Sequence, residues 1–99
     1  MIDKWTEITQ FRRIMGPLYR PEQYALGLFM EVAELTESFQ FKPWKEGLGR
    51  VIDQENLKRE IIDCLFFLHH IAECFDITDF DLDQKFEEVL KNNERRYHK

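Results

Sequence analysis

Apolar positions recur along this chain at helical rather than strand spacing. In residues 3 to 15, Trp5, Ile8, Phe11 or Arg12, and Met15 fall on one helical face. Gly16-Pro17 breaks that run. Pro21 suits the first turn of a second helix over about 22–42, carried by Tyr24, Leu28, Val32, Leu35 and Phe39 and stopped or bent at Pro43. The stretch KPWKEGLGRVIDQE reads as a long loop, because Gly47 and Gly49 are poor helix residues. Asp53 is the better cap for a third helix over about 54–75. Asp76 to Asp79 form a connector with Thr78 or Asp79 as cap, and Phe80 or Leu82, Phe86, Val89 and Leu90 mark a fourth helix over about 80–97. No stretch alternates with period two for long enough to be a strand, and there is no internal repeat. The expected fold is all-α, an antiparallel four-helix bundle in one domain spanning residues 1–99.

The third helix is the organising stretch. It is apolar on more than one side, yet Glu60 and Asp63 lie within it among Ile61, Ile62, Cys64 and Leu65. A carboxylate in that setting is costly unless something pairs with it. The second helix repeats the arrangement with Glu31 and Glu34. Residues three apart share a helix face, so each pair points one way. Consecutive antiparallel helices would bring the two pairs together around a divalent cation. Mg²⁺ or Mn²⁺ suits a set of hard oxygen donors and keeps waters for phosphate oxygens. Against this stands a plain alternative: one residue in three is charged, and a single Glu-x-x-Glu is commonly a solvated face.

Composition narrows the partners. A net charge of −5 argues against general duplex-DNA binding, which needs a basic face. Nine Phe, three Tyr and two Trp are more apolar surface than so short a chain can bury, which points to an oligomer. Cys64 and Cys74, ten residues apart on one helix, would be about 15 Å apart. That exceeds the roughly 7 Å limit for a disulfide, so reduced thiols and a cytoplasmic setting are expected. No signal pattern or membrane span is read in the chain.

Glu31-Val-Ala-Glu34, 25 intervening residues, then Glu60-Ile-Ile-Asp63 resembles the Glu-x-x-Glu…Glu-x-x-Asp signature of the MazG-like, all-α nucleoside triphosphate pyrophosphohydrolases. Dimeric dUTPases and dCTP pyrophosphatases belong to the same superfamily. The resemblance covers roughly residues 24 to 97. It implies cleavage of a (d)NTP between the α and β phosphates to a monophosphate and pyrophosphate, with a role in removing noncanonical nucleotides from the pool. It implies that Glu31, Glu34, Glu60 and Asp63 bind Mg²⁺, Mn²⁺ being an alternative. One carboxylate of the first pair, Glu34 by preference, would orient or deprotonate the attacking water, with Glu37 supporting it. It also implies a homodimer or a dimer of dimers, with active sites built across subunits.

For the substrate, Lys42 and Lys45 flank Trp44 in the loop and offer charge and a stacking face. Lys91 and Arg96 lie near the end of the last helix, where basic residues also favour the helix dipole. Asn93-Glu-Arg-Arg96-Tyr97 is similar to the ending of dCTP-pyrophosphatase-like members, which would place Asn93 and Tyr97 at the nucleotide. Those relatives carry a Lys where this chain has Val89, whereas dimeric dUTPases have a run closer to Lys91-Asn92. The two alignments differ, and the base stays open. Adjacent His69 and His70 diverge by about 100° on a helix, so one is expected at a subunit interface and the other in solvent. A di-iron bundle would need Glu-x-x-His pairs, and no His has a Glu three residues before it. The remaining alternative is a non-catalytic helical interaction module that keeps the acidic cluster.

Overall fold

The computed structural model describes residues 4–38 and 53–97, and the described residues are all-α with four helices and no strand. They are α1 (Trp5–Ile14), α2 (Pro21–Ser38), α3 (Gln54–Cys74) and α4 (Asp79–Tyr97). Helix α3 is the centre. α2 packs along one side of it and α1 against another.

The helix ends follow local chemistry. Asp53 caps α3 by accepting a hydrogen bond from the Asn56 amide at 3.1 Å. At its other end Asp76 takes a left-handed backbone (φ 55). The Asp76 amide then donates to Glu73 and the Ile77 amide to Ala72, which satisfies two orphan carbonyls. Thr78 and Asp81 cap α4 reciprocally: the Asp81 amide donates to Thr78 Oγ1 and the Thr78 amide to Asp81 Oδ2. Between α1 and α2 the chain turns at Gly16, whose φ of 107 is open to glycine.

Three contacts fix the register of α2 on α3. Ser38 meets Asn56 through a 2.8 Å hydrogen bond. Gly27 meets the Phe67 ring. Tyr24 meets His70, with ring centroids 5.1 Å apart. As the chain runs back along α2 from 38 to 24, its partner advances along α3 from 56 to 70, so the pair is antiparallel. On this register Glu31 stands opposite Asp63 and Glu34 opposite Glu60.

α1 is held to α3 by a mixed seam. Trp5 and Ile8 are buried, and Trp5 lies against His69 with centroids 4.5 Å apart. Phe11 meets Phe66 edge-on. Arg12 forms an ion pair with Glu73. His69 is 0 % exposed, and its Nε2 lies 2.7 Å from Thr9 Oγ1. Because the Thr9 hydroxyl donates to the Trp5 carbonyl, the arrangement favours His69 Nε2–H as donor to Thr9. The expectation for the histidines is therefore corrected. His69 is enclosed within its own chain, and His70 packs among Tyr24, Phe66 and Phe67. α1, which carries the Thr and Trp that cover His69, lies some sixty residues away in sequence.

Among the described residues, the buried apolar side chains are Trp5, Ile8, Tyr24 and Ala72. α4 buries none, and Phe80, Phe86, Val89, Leu90 and Tyr97 are exposed on it. An apolar groove of about 460 Å³ also lies open between α1 and α3, lined by Ile8, Phe11, Ile62, Leu65 and Phe66. No helix of the described residues is long and apolar enough to cross a membrane.

Candidate metal centre

The antiparallel register brings Glu31, Glu60 and Asp63 together. One carboxylate oxygen from each lies within 4.8 Å of the others. Glu60 is buried and the other two are half-buried. Glu31 Oε2 and Glu60 Oε2 are buried atoms with no hydrogen-bond partner. Such orphaned acceptors are costly in a folded chain. The electrostatics show that cost. The Glu31 carboxyl is pushed up to about 7, first by desolvation, then by the charge of Glu34, the adjacent Glu60 carboxyl and the charge of Asp63. The Cys64 thiol is also raised, by burial and then by Glu31, Glu60 and Asp63.

These residues fit a hard divalent ion. All three donors are carboxylate oxygens, the preferred ligands of Mg²⁺ and Mn²⁺. Two ligands on opposite sides of Mg²⁺ at about 2.1 Å would be about 4.2 Å apart. The cluster has that span to within a small side-chain adjustment. A cation there would meet the two orphaned oxygens and offset the mutual repulsion.

Glu34 is exposed and lies one turn beyond Glu31, outside the tight group but close enough for its charge to act on Glu31. Glu37 is exposed further along α2. The expectations for Lys42, Trp44 and Lys45 fall outside the described residues. Lys91, Asn93, Arg96 and Tyr97 are exposed on α4. The structure groups three of the four expected ligands and leaves the α4 residues away from any buried face.

With the cluster in view, the comparison with protein families is specific. A family model described as dUTPase (dUTPase_2) matches residues 1–97. The chain belongs to the dUTPase family. No curated protein and no solved structure matches it. The match bears out the superfamily relation carried by the Glu-x-x-Glu and Glu-x-x-Asp motifs. In this dUTPase-family chain both motifs converge on one cluster.

One residue of the site neighbourhood escaped the sequence reading. Gly27 lies in the interior of α2, one turn before Glu31, with the Phe67 ring against its Cα. The signal was present: a glycine inside a helical pattern costs stability and usually has a packing reason.

Proposed function

We propose that this chain is a Mg²⁺-dependent pyrophosphohydrolase that converts dUTP to dUMP and pyrophosphate. Water adds across the bridge between the α and β phosphates, and the bridging P–O bond breaks. The observation that carries the reading is the Glu31, Glu60 and Asp63 cluster, with two buried oxygens lacking partners. The family match supports uracil as the base.

Glu31, Glu60 and Asp63 would hold the cation, with Glu34 completing the set on the open side. When bound, Mg²⁺ neutralises phosphate charge and acidifies water. Glu34 is solvent-facing, which suits it to accept the proton of the attacking water, and Glu37 follows on the same helix. Lys42, Lys45 and Trp44 would grip phosphate and base. Lys91, Asn93, Arg96 and Tyr97, exposed on α4, would reach a site with α4 set against a second copy. A homodimer, or a dimer of dimers, supplies that copy and covers the exposed apolar face of α4. The reading keeps a cytoplasmic setting, a role in clearing unwanted nucleotides, and residues 1–99 as one domain.

The test is a panel of dUTP, dCTP, dTTP, dATP and UTP, each with Mg²⁺ or with EDTA. Metal-dependent pyrophosphate release with dUTP as best substrate is expected. Preference for another base would overturn the substrate. Release of single phosphate would overturn the cleavage position.

A further inference from the structure

We propose that Gly27 and Phe67 form a spacer pair that sets the width of the metal centre. The proposal rests on the reading of Glu31, Glu60 and Asp63 as ligands, and assigns Gly27 and Phe67 as positioning residues for them.

A glycine in a helix interior is destabilising relative to alanine, so Gly27 needs a return. The packing supplies one. A Cβ built at Gly27 would lie 2.5 Å from Phe67 Cε1 and 2.9 Å from Cζ. The ring of α3 therefore rests on bare backbone of α2, and no larger residue fits without movement. Phe67 is itself hemmed by His70, with ring centroids 6.2 Å apart at 71°.

This contact is stacked on the ligand layer. Glu31 follows Gly27 by four residues on α2, and Asp63 precedes Phe67 by four on α3, so the two layers are about one helical turn apart. On the other side of the ligands, Ser38 and Asn56 tie the helices with a 2.8 Å hydrogen bond. The carboxylates thus lie between a close aromatic-on-glycine contact and a polar tie. Their oxygens lie within 4.8 Å of one another, so a modest widening would carry them beyond the reach of one small cation. Parting the helices at Gly27 would take Glu31 away from Asp63.

The test is Mn²⁺ binding to the metal-free chain, measured by electron paramagnetic resonance, with helix content checked by circular dichroism. Gly27→Ala is expected to weaken Mn²⁺ binding by about tenfold or more, the scale of a lost ligand-orienting contact, with helix content unchanged. Phe67→Trp, which overfills the same gap, is expected to do likewise. Adding Phe67→Leu to Gly27→Ala relieves the clash and should restore binding. Undiminished Mn²⁺ binding by Gly27→Ala, or by Phe67→Trp where Gly27→Ala does not fold, would overturn the proposal. So would failure of the double variant to recover while folded. A wild-type chain that binds no Mn²⁺ would instead overturn the metal reading on which the proposal rests.

Discussion

Glu31 carries most of the tension in the metal-free chain, because burial and three neighbouring carboxylates all oppose its charge. Glu31→Gln keeps the shape and removes that charge. In EDTA the variant should be more stable than wild type by about 0.5 kcal/mol, the scale of a relieved like-charge contact. For a chain of this size that raises Tm by about 2–4 °C. Adding Mg²⁺ should raise the wild-type Tm and leave the variant's unchanged. A thermal melt with and without metal checks both. The histidines act in the opposite pH direction. Burial lowers both His69 and His70 below their ordinary value. The ring of His69 faces Glu73 on its own helix and Arg12 on α1. The unfolded chain then binds protons that the folded chain refuses. Stability is fully present above about pH 6.5 and is lost as pH falls below it. In the Glu31→Gln background, which removes the opposing carboxyl titration, urea midpoints should fall between pH 7 and pH 5.5. A flat profile would contradict the neutral, enclosed assignment.

At the scale of elements, the mixed seam that holds α1 to α3 contains one ion pair. The Arg12 and Glu73 side chains are 13 % and 16 % exposed. Arg12→Met strands a largely buried carboxylate and should cost about 3 kcal/mol. Amide exchange should accelerate through α1 while α2 and α3, joined by their own contacts, stay protected. What sequence revealed at this scale was local. Pro21, Asp53, and Thr78 or Asp79 marked helix starts because each acts on the next few residues, and the structure selects Thr78 for the last. Glu60 and Asp63 were readable because their spacing places them on one face and their neighbours are apolar. His69 was misplaced because its partners, Thr9 and Trp5, lie on a helix that sequence periodicity cannot dock. Gly27 went unread because its meaning depends on Phe67, forty residues on.

At the scale of the whole molecule, the described residues expose apolar surface on α4. Phe80 is 67 % exposed and Phe86 49 %. With so few apolar side chains buried among the described residues, association is the direct way to cover α4. Sedimentation should give a mass above the 12.1 kDa of one chain, and Phe86→Glu should shift it towards the monomer. A monomeric wild type would count against the proposed placing of Lys91, Asn93, Arg96 and Tyr97 at a substrate. Turnover decides the account as a whole. Pyrophosphate release from dUTP should be measured for wild type and Asp63→Asn, each with Mg²⁺ and with EDTA. The account predicts one pyrophosphate and one dUMP per dUTP, only for wild type and only with metal. Release that survives EDTA, or that Asp63→Asn sustains at the wild-type rate, would contradict it.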